Sequence, residues 1–319
     1  MNFPVFDLHC DTALALLGRN GHLVNNLADN QLHIDLKRAG ELPGYTQCFA
    51  CFTTTLFEDS PSVVFERELA AIIAQIEYNS DKIRLVYDTH EIRRNIQNGI
   101  ISAILTIEGP AGFGFDPGML EQLYRIGFRI TTLGWNEKNP LTGSHVTGGG
   151  LTELGKTYVK QAQALNMLVD VSHISDEGFW DIMEITEKPI IASHSNSRAI
   201  CDVSRNLTDD MFLAICRTDG VVGMNLYTEF LGPNADLQTV CRHILHFLDL
   251  DPSGKHIALG GDLDGCETLP AGFSGVQDYP KLAEQLLLHG LSDATVADIF
   301  WNNAMGVMQN AVSEHKKPN

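Results

Sequence analysis

Short apolar runs, each closing on polar or glycine residues and followed by a stretch of helical periodicity, recur along this 319-residue chain. Eight can be read: VFDLHCD (5–11), CFACFTTT (48–55), SAILTIEGP (102–110), FRITTLG (128–134), MLVDVSH (167–173), PIIASHS (189–195), GVVGMN (220–225) and HIALGGDLDG (256–265). Such runs suit strands buried on both faces of a parallel sheet, and the stretches between them suit crossover helices. The clearest helical stretches span 61–79, 152–166, 176–188, 208–217 and 236–250. Thr208 before Asp209 and Asp210, and Ser175 before Asp176 and Glu177, supply the oxygen caps and first-turn acids of helix starts. Eight strand and helix units predict an α/β fold, a (β/α)8 TIM barrel.

An open doubly wound sheet would place a Gly-rich phosphate loop after an early strand. The chain has no G-x-G-x-x-G opening a helix and no G-x-x-x-x-G-K-[ST], and TGGG (147–150) lacks the following Lys. That tetrapeptide sits in a polar connection from Asn136 to Thr152, which reads as an active-site loop. With no repeat, low-complexity stretch or linker-like shift, residues 1–319 read as one domain with long rim loops at about 12–47 and 136–152.

Composition narrows the partners. At 44% hydrophobic and 19% charged, the chain can bury a sizeable core. Its 22 basic against 40 acidic residues leave −18, which opposes binding to nucleic acid or to an anionic lipid surface, so a small-molecule partner is expected. No run of 18 apolar residues occurs, the first apolar stretch already holds Asp7, His9 and Asp11, and the segment AVSEHKKPN carries no hydrophobic tail. No membrane partner and a cytoplasmic location are therefore the expectation; homodimerisation is left open. Seven scattered cysteines suit reduced thiols. Cys48 and Cys51, three apart in a predicted strand, should point to opposite faces and play a structural part.

The chemistry-bearing residues fall at the ends of five of these runs, where barrel active sites assemble. His9 and Asp11 are two apart and share a strand face, with Asp7 expected on that face one step below; Glu108, His173, His194 and Asp262 end later runs. Each alone has an ordinary reading, as a hydrogen-bonding His, a loop acid or a turn former. Together, three imidazoles and three carboxylates on one rim would repel or be costly to bury unless a cation compensates them. Imidazole with carboxylate indicates zinc or a similar first-row ion rather than magnesium. Five ligands exceed what one catalytic zinc with an open position uses, so two ions bridged by a carboxylate are expected. Two ions about 3.5 Å apart would share a hydroxide nucleophile and polarise the carbonyl it attacks, which is hydrolysis of an amide or ester.

The ordered motifs FDLHCDT (6–12), TIEGP (106–110), GLTELGK (150–156), LVDVSHIS (168–175), IIASHSNSRAI (190–200), SRNLTDD (204–210) and GGDLDG (260–265) resemble the membrane (renal) dipeptidase family across nearly the whole chain. The resemblance implies an amidohydrolase-like, metallo-dependent hydrolase barrel with two Zn2+ per chain and a zinc-bridged hydroxide that cleaves small dipeptides. It makes His9 and Asp11 ligands of one zinc, His173 and His194 ligands of the other, and Glu108 the bridge. It gives Asp262 proton transfer and Arg205 the substrate's terminal carboxylate; the residues alone equally allow an Arg205 ion pair with Asp209 or Asp210.

The chain departs from the family in two places. Where the family reads L-T-H and uses the His on substrate and oxyanion, this chain has TTLGWNEKN (131–139), with Trp135 at the His position. An indole donates one N–H and cannot be protonated, so Trp135 reads as a pocket wall and His145 in the adjacent loop as a substitute. The family's N-L-L-R-V-like segment appears as NAMGVM (303–308), expected to be helical packing. His22, His33, His90, His243, His246, His256, His289 and His315 are assigned no role; Ser195 and Cys10 read as scaffold. The leading expectation is thus a zinc dipeptidase. The alternatives are a metal-dependent hydrolase of another small amide, an N-acyl amino acid or a lactam, and a metal-dependent binding protein without turnover.

Overall fold

The computed structural model describes residues 3–18 and 21–312; the other positions, among them His315, both ends of the expected 1–319 unit and part of the first rim loop, lie outside the described residues. Nine strands are present among the described residues: β1 (Val5–Cys10), β2 (Tyr45–Phe52), β3 (Ile83–Leu85), β4 (Ile101–Glu108), β5 (Phe128–Thr132), β6 (Leu168–Asp170), β7 (Ile190–Ile191), β8 (Val222–Met224) and β9 (Ile257–Leu259). Between them lie α1 (Thr12–Ala15), α2 (Leu36–Ala39), α3 (Pro61–Tyr78), α4 (Thr89–Gln97), α5 (Leu120–Ile126), α6 (Glu153–Ala164), α7 (Asp176–Ile185), α8 (Asp209–Arg217), α9 (Thr228–Leu231) and α10 (Leu237–Leu250). After β9 follow α11 (Tyr279–Leu288), α12 (Asp293–Ala297) and α13 (Asn303–Val312).

Eight strands pair in parallel in the order β7-β6-β5-β4-β2-β1-β9-β8. A parallel bridge between Ala192, just past β7, and Val222 of β8 joins the ends of that path, giving the expected (β/α)8 barrel. Its strands are the eight runs read from the sequence. The ninth, β3, pairs with Ile101–Ala103 of β4 before β5 takes that edge at Leu105, and at three residues it is too short to show a pattern.

All eight residues of β2 and of β4 are buried, because apolar clusters cover both faces of the sheet. One gathers Leu8, Cys48, Ile104, Ile130, Leu168 and Ile191 with Ala304, Met305, Val307 and Met308 of α13, so the NAMGVM segment is indeed helical packing. The other joins strand residues such as Phe49, Cys51, Leu105 and Val169 to Phe65, Ile72, Tyr158, Phe179 and Phe247 of the surrounding helices. Each fully buried side chain of this size contributes about 1.5–3 kcal/mol. Cys48 and Cys51 thus lie in different clusters, as their spacing requires, and all seven cysteines are free.

Helix starts follow their caps: the Thr208 and Ser175 side chains accept from the Met211 and Gly178 backbone N–H groups. The 176–188 helix stops early, at Ile185, since Thr186 is extended (ψ 138°) and Lys188 precedes Pro189.

One strand expectation fails. Between Asp7 and Cys10, β1 advances three residues while β2 advances two, from Gln47 to Phe49. That bulge breaks the two-residue alternation, so Asp7 does not share the face of His9. Its carboxylate instead accepts from the backbone N–H of His9 (3.0 Å) and of Gly261 (3.0 Å) and from the Tyr279 hydroxyl, bracing β1 against the end of β9 and α11.

Candidate metal centre and active site

His9 is in β1 and Asp11 just beyond it; Glu108 is the last residue of β4; His173, His194 and Asp262 each lie three residues past the ends of β6, β7 and β9. The rim backbone is shaped for this. His173 (φ 70°) and Asp262 (φ 55°) adopt the left-handed region, uncommon outside glycine and concentrated at functional sites. Gly109 (φ 78°) must be glycine, because a Cβ there would overlap the Thr53 carbonyl as the chain turns away behind Glu108. Gly265 leaves room for the carboxylates of Asp11 and Asp262, which a Cβ would strike.

Glu108 presents its two oxygens to two sets of partners. Oε2 lies 3.3 Å from His9 Nε2, whereas Oε1 lies 3.0 Å from His173 Nε2 and 3.7 Å from His194 Nε2. His9 Nε2 is also 3.8 Å from Asp11 Oδ1 and 3.8 Å from Asp262 Oδ1. The rings of His9 and His194 stack with centroids 3.8 Å apart. Buried polar atoms are normally hydrogen-bonded, yet His9 Nε2, Asp11 Oδ1 and Glu108 Oε2 have no hydrogen-bond partner. The structure therefore brings His9, Asp11, Glu108, His173, His194 and Asp262 together, with orphaned donor atoms converging as a cation would require. The side chains of Asp11 and Asp262, 14% and 12% exposed, mark the side on which the cluster opens.

Hydrogen bonds behind the cluster fix which ring nitrogens face it. His173 Nδ1 lies 2.9 Å from Asn136 Oδ1, an acceptor, so Nδ1 carries the proton and Nε2 the lone pair. The Ser193 hydroxyl donates to Asp170 and hence accepts from His194 Nδ1 (2.7 Å), which leaves the His194 Nε2 lone pair pointing inward. The two Nε2 atoms are 2.9 Å apart with no proton between them, a pairing that suits a shared electrophile. On the other side Asn225 Nδ2 donates to Asp262 Oδ2 (3.0 Å). Asn136, Ser193, Asp170 and Asn225 were not singled out from the sequence; for Asn225 its place at the end of the run GVVGMN was a usable signal.

The titration behaviour follows from burial and crowding. Burial, then Arg205, holds His173 well below the ordinary imidazole range; burial, then His9 and Arg205, does the same for His194. Burial also works against protonated His9, but Glu108 and Asp11 outweigh it and raise its pKa well above the ordinary value. Glu108 is pushed up to about 8 by burial and by Asp11, and Asp262 to about 6 by burial, with Asp11 repelling and His9, Asn225 and Arg205 opposing. Clustered perturbation of this kind marks functional sites.

Arg205 is buried, and does not pair with Asp209, whose carboxylate faces His246 at 2.7 Å. Its Nη1 donates to Ser195 Oγ (2.8 Å) and its Nη2 to the His194 carbonyl (2.9 Å), while Nε has no partner. Burial lowers its pKa to about 10, so it stays cationic at neutral pH. Trp135 stands edge-on to Phe52 (5.1 Å) with its ring 6.3 Å from His173, on the rim of the cluster. His145 lies 6.1 Å from His173, with Nε2 2.8 Å from Asn136 Oδ1 and Nδ1 3.0 Å from Ser204 Oγ, so both its nitrogens are engaged. His243, assigned no role, accepts from the Ser197 N–H and bonds the Leu231 carbonyl.

The family model described as membrane dipeptidase (peptidase family M19) matches residues 1–318. An uncharacterized dipeptidase of Schizosaccharomyces pombe is 30% identical over 96% of this chain and 80% of its own length. Among solved structures, dipeptidase AC, an M19 metallopeptidase, superposes with a TM-score of 0.89 at 26% identity, covering 98% of this chain and 100% of that one. A Rhodobacter sphaeroides metallopeptidase, liganded with a phosphinate mimic of the dipeptide L-Ala-D-Ala, gives 0.87 at 25% identity with the same coverage.

Proposed function

The chain belongs to the membrane dipeptidase family, peptidase family M19, and from that premise we propose that it hydrolyses free dipeptides at a centre of two zinc ions. That it is a metallodipeptidase-type hydrolase follows from the family and its solved members. His9 and Asp11 would hold one ion, His173 and His194 the other, and Glu108 both. The observation that carries this reading is the division of the Glu108 oxygens between His9 and the His173–His194 pair, amid buried donor atoms with no other partner.

When bound, such ions supply a hydroxide nucleophile at neutral pH and polarise the scissile carbonyl. The protein's own groups do the rest. Asp262, steadied by Asn225 on one oxygen, keeps the other for taking the nucleophile's proton and returning it to the leaving amine. The Arg205 guanidinium, held by Ser195 and the His194 carbonyl with its buried Nε unpartnered, would take the substrate's terminal carboxylate. Trp135 and Phe52 form an apolar wall beside His173, and His145 supports that side of the pocket through Asn136.

With the free substrate amine near the metals and the carboxylate on Arg205, the centre would bind both ends of its substrate and favour dipeptides over longer peptides, and the ligand of the Rhodobacter neighbour extends this to a D-residue at the C-terminal position. Trp135 in place of the family's His keeps one second reading, an N-acyl amino acid or other small amide. Free cysteines support a reducing, cytoplasmic location; no helix among the described residues is long and apolar enough to cross a membrane. Metal analysis of the purified protein, with turnover of L,L and L,D dipeptides against N-acyl amino acids, tests the proposal. Less than about one metal per chain, unrestored by added zinc, refutes the two-ion centre, and preference for the N-acyl series refutes the dipeptide assignment.

A further inference from the structure

A second mixed cluster lies outside this centre. Cys216 in the last turn of α8, Asp251 at the C-cap of α10 and His256 just before β9 offer a sulfur, a carboxylate oxygen and a ring nitrogen that all lie within 4.8 Å of one another. His256 sits before the N-terminal end of its strand, whereas His9, Glu108 and Asp262 gather at the C-terminal ends, so the two clusters occupy opposite ends of the barrel.

The orientation of His256 makes this more than proximity. Its Nδ1 lies 2.8 Å from the Gly220 carbonyl, which can only accept, so Nδ1 bears the proton and the Nε2 lone pair is left to face Asp251 and Cys216. Metal-ligating imidazoles almost always donate their far nitrogen to a carboxylate, a backbone carbonyl or water, and His256 meets that condition. Backbone bonds hold this pairing: the Gly220 N–H donates to the Ile215 carbonyl (3.1 Å) and the Val222 N–H to the His256 carbonyl (2.8 Å). Nε2 is 3.9 Å from Asp251 Oδ2, beyond hydrogen-bond reach and close to the 3.8 Å that separates His9 from Asp11 and from Asp262. Asp251 is steadied by Ser253, whose N–H and hydroxyl bond its two oxygens at 3.2 and 2.8 Å, leaving further lone pairs on each. The three residues are partly exposed, so an ion can reach them.

We propose that Cys216, Asp251 and His256 form an additional binding site for a borderline-soft divalent ion such as zinc, with three protein ligands and a fourth position open to water. Thiol, imidazole and carboxylate together suit zinc or cobalt and not magnesium or calcium. Binding converts the Cys216 thiol to a metal-bound thiolate and releases one proton to solvent. The ion would clip together α8, α10 and the residue that leads into β9, at the end of the barrel opposite the rim.

Cobalt is the diagnostic probe, since the ligands proposed for the catalytic centre contain no sulfur. Metal-stripped full-length protein titrated with Co2+ should develop a thiolate-to-cobalt charge-transfer absorption in the near ultraviolet. Cys216→Ser and His256→Ala should each abolish that band and lower the zinc count by one per chain, leaving dipeptide turnover unchanged. In the unsubstituted protein, zinc should protect Cys216 from iodoacetamide, read by peptide mass mapping, so the test does not depend on the variants folding. Absence of the band, its survival in both variants, equal zinc counts, or equal Cys216 alkylation with and without zinc each overturn the proposal. Loss of turnover with this site intact would bear on the dipeptidase reading alone.

Discussion

Arg205→Ala offers a test in which the structure dictates both size and control. The guanidinium is buried, cationic to about pH 10, and held by two hydrogen bonds with Nε to spare. Truncating one partner of a buried, hydrogen-bonded charge pair costs about 2–5 kcal/mol, which at about 1.4 kcal/mol per factor of ten is roughly 30- to 5,000-fold in kcat/KM. The same change also removes the bonds to Ser195 and to the carbonyl of His194, and could disturb a metal ligand without any contact to substrate. A cycle separates the two effects. In the wild type, amidating the dipeptide C-terminus should lower kcat/KM by a factor within that range. In Arg205→Ala, free and amidated dipeptides should react at nearly equal rates, because the group that told them apart is gone. Arg205→Lys should recover part of the discrimination, since an ammonium keeps the charge but not the planar fork. If Arg205→Ala slows both substrates by the same factor and the preference for the free acid survives, Arg205 is a brace for His194 and the carboxylate is held elsewhere.

Other consequences are equally direct. Asn136→Ala removes the acceptor that fixes the His173 tautomer and should weaken metal binding about 10- to 100-fold by chelator competition, while Asn136→Asp should retain it. Stripping the metal should lower Tm, and increasingly so as pH rises from about 6.5 to 8. Glu108 titrates near 8 and His9 above its ordinary value when no cation is present, so their protonated forms favour the metal-free fold at low pH and that contribution is lost on the way up. His173 and His194, depressed instead, act below about 6.5 and in the opposite sense, so a metal-free Tm that climbs between pH 6.5 and 8 would contradict the assignment. Gly109→Ala, with φ at 78° and its Cβ against the Thr53 carbonyl, should destabilise by at least about 3 kcal/mol in denaturant unfolding; a change under about 1 kcal/mol would show that the turn relaxes.

What could be read from the sequence was what the barrel makes periodic. Strand runs buried on both faces are continuous apolar stretches, so eight stood out, and residues just past their ends were marked as a rim by position alone. The partners behind the rim were hidden because they follow no period. Asn136 meets His173 across 37 positions, and Asp170 reaches His194 only through the Ser193 hydroxyl. Arg205 had two readings of equal standing until Asp209 was seen to face His246, and β3 and the early end of α7 depend on edge pairing and one extended residue.

The failed expectation, Asp7, bears on the charge of the centre. Had β1 kept its alternation, Asp7 would have joined Asp11, Glu108 and Asp262 at the rim as a fourth carboxylate. The bulge turns it outward, to two backbone N–H groups and the Tyr279 hydroxyl, where it holds β1 and β9 in register instead. Under the two-ion reading, the three remaining carboxylates and a hydroxide balance two divalent cations. Arg205 is then a buried positive charge beside the cluster, felt by Asp262, Asp170 and Glu108, whose unpartnered Nε would leave it able to take a substrate's carboxylate. A fourth rim acid would have paired with that charge or added an uncompensated one in a site from which most water is excluded, and either outcome weakens the hold on substrate. On the proposed function, the residue that breaks the strand pattern is thus the one whose displacement would leave room for the substrate's own charge.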